Sequence, residues 1–228
     1  MVDYERALAS VRQQRDDMAW GPNNTFVFPR RGGTGEIYRR MAAPLSPRIR
    51  LRAAVEEVDA RRRMVTLSDG ERLGYERLLS TMPLDGLVEA LDDCPEAVRR
   101  AGGRLDHNGV YMVGVGYETP LRDEHSWMYF PQPGLPFYRV TNFAKYAAAN
   151  VPAGDLSRYC SYMTEAAFSE HKPVSRPGLE EAVEAGLREA GVVPGRPPVA
   201  SVHVERIDYA YPIPRWDETR LWRRSSGG

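Results

Sequence analysis

Two stretches of the chain gather side chains able to do chemistry. In the first, Trp127-Met128-Tyr129-Phe130-Pro131 is followed by Pro136-Phe137-Tyr138-Arg139, and another phenol, Tyr146, stands seven residues beyond the arginine. An arginine fork and tyrosine hydroxyls suit a diphosphate held between donors, and the rings offer faces to a base or a sugar. An aromatic core seam with one exposed arginine has the same composition, so the residues leave both readings open. In the second stretch, Thr25-Phe26-Val27-Phe28 reads as a short apolar strand stopped by Pro29, before Arg30-Arg31-Gly32-Gly33-Thr34-Gly35 and a helix opening near Glu36. Gly32, Gly33 and Gly35 permit backbone angles closed to other residues and let a flat or charged ligand lie on the main chain. A tight strand-to-helix turn with solvated arginines explains the same spacing.

These groups need a scaffold, and the apolar pattern outlines one. Residues 3–17 read as an amphipathic helix carrying Tyr4, Ala7, Leu8 and Val11 at helical spacing. A helix over 37–43 ends at Pro44 and Pro47. Segments 49–59, 64–67 and 71–75, with Ser68-Asp69-Gly70 between the last two, predict an antiparallel meander. Residues 77–83 read as a buried strand returning to the main sheet, and 84–91 and 95–101 as short helices. Gly109 to Tyr117 is apolar enough for a central strand, whose glycines allow close packing or close approach of a ligand. Trp127 to Pro131 and Pro136 to Tyr146 predict two strands joined by a proline-glycine turn. Further on come a strand over 158–164, a helix over 179–190 stopped by Gly191, and a proline-rich linker. A half-buried alternating strand covers 199–207, and 215–228 reads as a flexible tail.

Composition excludes several classes. Lysine plus arginine and aspartate plus glutamate balance at 31 each in 228 residues, so no bulk field draws nucleic acid or an anionic membrane. Cys94 and Cys160 are far apart, and the four histidines are scattered singly, which points to no metal. No apolar run approaches the roughly 20 residues of a membrane span, and residues 1–6 lack a signal-peptide core, so a cytoplasmic location is expected.

The run WGPN-x-TF-x-FP-x-RGGTG-x-I begins at Trp20. Together with the strand 109–117, W-x-YFP with PFYR and Tyr146, and Asp208-Tyr209-Ala210-Tyr211-Pro212-Ile213-Pro214, it resembles the block order of eukaryotic-type UDP-galactopyranose mutases. These are flavoproteins related to the amine-oxidase superfamily, and the likeness covers roughly residues 18–214. It implies an α+β fold, part of an α/β flavoprotein: a small antiparallel meander from an FAD-binding domain plus a mainly antiparallel substrate sheet with flanking helices. The units implied are the end of a helical domain (1–17), part of the FAD-binding domain (18–83), the substrate sheet (84–214) and the tail (215–228).

The activity implied is interconversion of UDP-galactopyranose and UDP-galactofuranose. Reduced FAD attacks the anomeric carbon through N5, giving a sugar adduct; UDP leaves, the ring opens and recloses, and UDP returns. By the same resemblance Arg31, as the catalytic residue, lies beside the flavin with Gly32, Gly33 and Thr34, and Val55 meets the adenine through its backbone. Trp127, Tyr129, Arg139, Tyr146 and Tyr211 hold the UDP-sugar, a second cation is expected nearby, and a reductant such as NAD(P)H is implied. The N-terminal glycine fingerprint, the acid for the ribose, the flap histidine and the C-terminal flavin-contacting segment have no counterpart. An internal piece of a longer enzyme or a degenerate copy is therefore expected, inactive alone and binding FAD poorly or not at all. Two alternatives stay open. A flavin amine oxidase or protoporphyrinogen-oxidase-like oxidoreductase shares the meander and Ser80-Thr81-Met82-Pro83 but leaves Arg139 and its tyrosines unexplained. The other is a non-catalytic nucleotide-sugar-binding module.

Overall fold

The computed structural model describes residues 4–14, 26–122 and 124–214. Helix α1, Tyr4–Gln13, is shorter than expected, and the last residues of the predicted helix, like Trp20 to Thr25 and the predicted tail, lie outside the described residues. Helix α2, Gly33–Ala42, opens on the glycine turn and tightens into a 3-10 turn, Ala43–Arg48. Pro44 and Pro47 lack the N–H that an α-helix needs there, which ends it.

Strands β1 (Val55–Asp59), β2 (Met64–Leu67) and β3 (Arg72–Gly74) form the expected antiparallel meander. Gly70 makes its second turn at φ 83, its N–H donating to the Leu67 carbonyl at 2.8 Å. Val58, Val65 and Leu67 face inward. Helices α3 (Leu84–Ala90) and α4 (Glu96–Gly102) close that side, where the Asp92 N–H donates to the Val58 carbonyl at 3.2 Å. Residues 77–83 form no strand, which corrects the expectation: Leu79 is 89% exposed and no described strand pairs with this segment. Its apolar residues imitate a buried strand without a ladder to join.

The second sheet has five strands in the order β5-β6-β7-β4-β8, antiparallel throughout. They are β4 (Asp106–Tyr117), β5 (Trp127–Tyr129), β6 (Arg139–Asn142), β7 (Cys160–Phe168) and β8 (Val199–Ile213). Alternation divides its residues cleanly. Val113, Val115, Tyr117, Val140 and Tyr162 project to one face and pack against Leu179, Val183 and Leu187 of α6, Leu179–Glu189. Full burial of each such apolar side chain contributes on the order of 2 kcal/mol, which makes this layer the core. Met112, Gly114, Glu165 and Arg139 take the other face. β8 is an edge strand and mostly exposed, not half-buried as its alternation suggested. Helix α6 packs over β4, so β8 overhangs the core, with Val204 resting against it. Among the described residues no helix is long and apolar enough to cross a membrane.

Candidate active site

Arg139 opens β6, directly opposite Tyr129 of β5 and Glu165 of β7. Directly opposed residues share a face, so register alone brings these side chains together. Arg139 Nε donates to Glu165 Oε1 at 2.9 Å, its terminal NH2 donates to the same oxygen, and the Tyr138 hydroxyl donates to Oε2. Glu165 is only 2% exposed. Burial disfavours the Arg139 charge, but hydrogen bonds to Tyr129 and Glu165, with Glu165's charge, outweigh it and hold the guanidinium pKa above its ordinary value. Tyr138 is pushed above the usual phenol range, first by burial, then by its bond to Glu165 and that carboxylate's charge.

Tyr146 ends the short helix α5, Phe143–Tyr146, which follows β6 directly, so the predicted second strand stops at Asn142. Burial is the main cause that pushes the Tyr146 phenol up to about 12, opposed by Arg139's charge and a hydrogen bond with Trp127. The Trp127 and Tyr146 rings lie edge to face, centroids 6.1 Å apart. Tyr211, on β8, donates its backbone N–H to Asn108 Oδ1 at 3.0 Å and is itself 49% exposed. It is near enough to act electrostatically on both Arg139 and Tyr138. Trp127, Tyr129, Arg139, Tyr146 and Tyr211 thus occupy one neighbourhood, on the sheet face away from α6. Gly114 lies on that face too, where a Cβ would meet nothing nearer than 3.9 Å, leaving the floor low. Gly109 serves packing instead, since a Cβ there would collide with the Phe168 ring.

The segment before the glycine turn reaches this neighbourhood through rings. Residues 26–29 form no strand, and Thr25 lies outside the described residues. Phe26 stacks on Trp127 at 5.4 Å and tilts against Tyr146 at 4.8 Å, while Phe28 meets Tyr146 edge-on at 5.1 Å. Ring contacts replace the backbone ladder that Pro29, lacking an N–H, could not extend. Beyond it Arg31 is exposed, and Gly32 and Gly33 adopt φ 77 and 62. The Gly32 carbonyl accepts from Arg39 NH2 at 3.2 Å, and Glu36 braces Arg39 and Arg40 at 2.5 and 2.7 Å. Thr34 is exposed in the first turn of α2. Val55 belongs to the three-stranded sheet, at the start of the meander beside a bulge.

Sequence reasoning missed Glu165, Tyr138, Phe26 and Phe28 as parts of the site. Glu165 had a visible signal: it is a lone carboxylate in the apolar run Met163-Thr164-Glu165-Ala166-Ala167-Phe168, and such a group needs a partner. A cavity of about 200 Å3 beside Cys160, Tyr162 and Val193 lies elsewhere and includes none of these residues. Among the described residues no group of three or more His, Cys, Asp or Glu side chains is placed to hold a metal.

Residues 6–216 match the family model for flavin containing amine oxidoreductase. The structure is similar to a crystal structure of reduced UDP-galactopyranose mutase, with a TM-score of 0.85 and 30% identity over 98% of this chain and 50% of that one. The chain therefore spans about half the length of that enzyme. A CLA-producing fatty acid isomerase from P. acnes shares the fold alone, with a TM-score of 0.53 and 14% identity over 79% of this chain and 40% of that one.

Proposed function

From the premise that the chain belongs to the flavin-containing amine oxidoreductase family, we propose that its five-stranded sheet is the nucleotide-sugar side of a mutase-like flavoenzyme. The reaction proposed is interconversion of UDP-galactopyranose and UDP-galactofuranose. One observation carries this reading: Trp127, Tyr129, Arg139 and Tyr146, from two neighbouring strands and the helix after them, share one open face with Tyr211, brought in from β8 about 65 residues on. The flavin amine oxidase alternative gives that convergence no task.

Each residue has a definite part. The Arg139 guanidinium and the phenols of Tyr129, Tyr146 and Tyr211 supply donors to the UDP diphosphate and balance the charge that grows on it as its bond to the sugar breaks. Trp127 offers an apolar wall beside them. Because Arg139 already faces Glu165, this charge is shared, and a second cation remains a requirement of the proposal.

The residues fit the family's flavin only in part. Gly32 and Gly33 both take positive φ, and at Gly33 the main chain is open, since a Cβ there would meet nothing nearer than 4.0 Å, so a flat ring edge can approach beside Arg31. The 228 residues contain no G-x-G-x-x-G run to take the FAD pyrophosphate. Bound at the glycine turn, reduced FAD would supply the nucleophile, with a nicotinamide such as NAD(P)H as the proposed reductant and Val55 as the proposed adenine contact.

The test is calorimetric titration of the chain with UDP, with UMP as control. UDP should bind, and Arg139→Ala should weaken it by about 2 kcal/mol, the scale of a charged hydrogen bond. Absence of UDP binding sinks the proposal, and UDP binding by a chain that takes up no FAD leaves the nucleotide-sugar-binding module.

A further inference from the structure

Glu165 is the feature the proposed reaction has not used. It sits on the sheet face that α6 does not cover, yet it is almost wholly buried, because Arg139 and Tyr138 close over it. A carboxylate in that position is costly unless both oxygens are engaged, and both are: Oε1 by Arg139, Oε2 by the Tyr138 hydroxyl. The backbone adds a further tie, the Tyr138 N–H donating to the Glu165 carbonyl at 3.0 Å. Well-packed apolar side chains would hold two strands together as well as a buried ion pair does, so stability alone is a poor reason for this one.

The geometry of the pair supplies a better reason. Arg139 gives Nε and NH2 to a single oxygen, a side-on grip that fixes the plane of the guanidinium. The same group lies over the Tyr129 ring, with Cζ 6.0 Å from its centroid. A free arginine carries several rotatable bonds, and a ligand that orders it loses affinity in doing so. Here the ordering is done before any ligand arrives.

We propose that Glu165 is a positioning residue, holding Arg139 with its plane set toward the tyrosine-lined face so that the diphosphate meets a pre-oriented guanidinium. The inference rests on the UDP reading above and adds to it a residue that does not touch the ligand. It makes a prediction opposite in sign to simple charge logic. Removing a carboxylate near an anion site should strengthen anion binding, whereas removing the group that orients Arg139 should weaken it.

The experiment measures UDP affinity of the whole chain for wild type, Glu165→Leu, Glu165→Gln, Arg139→Ala and the Glu165→Leu/Arg139→Ala pair. Alongside it, the Arg139 Nε–H resonance is followed by NMR and assigned by its loss in Arg139→Ala. Positioning predicts that Glu165→Leu weakens UDP about tenfold, the scale of ordering one long side chain, and that this loss vanishes when Arg139 is already alanine. Equal or tighter UDP binding by Glu165→Leu, or the same loss without Arg139, overturns the proposal. The resonance should be sharp and slow to exchange in wild type and averaged in Glu165→Gln, a change that a purely structural carboxylate would not single out. If wild type binds no UDP, the function reading fails, and the Glu165 assignment is then decided by that resonance: a wild-type signal already averaged refutes it.

Discussion

Phe26 stacks on Trp127 with ring planes only 16° apart, and this contact ties the glycine turn to the five-stranded sheet. An offset aromatic pair is worth about 1 kcal/mol beyond its buried area. Phe26 is 44% exposed, so the tie is partial. Phe26→Ala should release the segment that carries Arg30 and Arg31 while leaving the core intact. Limited digestion with trypsin measures this directly: cleavage after Arg30 or Arg31 should run several times faster in the variant. An unchanged rate would show that the stack does not hold the turn.

The turn itself depends on Gly32. Its φ of 77 suits glycine, and a Cβ there would come within 2.8 Å of Arg39 NH2 and 3.0 Å of Glu36 Cβ. Left-handed backbone costs a residue with a Cβ about 1–2 kcal/mol, before any clash. Since α2 has no buried side chain, the loss should appear locally. Amide exchange over α2 should speed up in Gly32→Ala, with the β4 and β7 amides unaffected.

Much of this architecture was legible in local pattern. The Ser68-Asp69-Gly70 turn between apolar segments identified the meander, and the apolar run around Val113 identified the central strand. What pattern could not supply was which partner each segment finds. Phe26 and Phe28 look like strand residues because they belong to a short apolar run, but their partners are rings far along the chain. Leu78 and Leu79 look buried for the same reason and are not. Glu165, a carboxylate among mostly apolar residues, was missed, and only the pairing of Arg139 with Glu165 across β6 and β7 shows what it answers.

Thiol chemistry offers a check on the core. Cys160 is buried beneath α6, and burial pushes its thiol up to about 11, whereas Cys94 is partly accessible. The thiolate is the reactive form, so a disulfide reagent near neutral pH should modify Cys94 first. Cys160 should react only when the sheet opens, giving one equivalent in the native state and two in denaturant. Two equivalents at equal rates in the native state would contradict the packing of Cys160 with Tyr162 and Val193.

Three phenols make the fold sensitive to alkali. Burial raises Tyr117 and Tyr146 to about 12, and Tyr138 goes higher, against roughly 10 for an exposed phenol. The folded state therefore binds these protons more tightly than the unfolded state. Their contribution to stability is complete below about pH 10 and is lost as pH rises through the folded values near 12. The denaturant midpoint should fall steadily across that window while phenolate absorbance lags behind that of free tyrosine. Tyr117→Phe separates the causes, because the Tyr117 hydroxyl is buried without a hydrogen-bond partner among the described residues. Removing it should raise stability slightly at neutral pH, since an unsatisfied buried hydroxyl costs about 1–3 kcal/mol, and should flatten part of the alkaline loss. A midpoint that does not move with pH, in wild type or variant, would mean that these phenols are wetter than their burial requires.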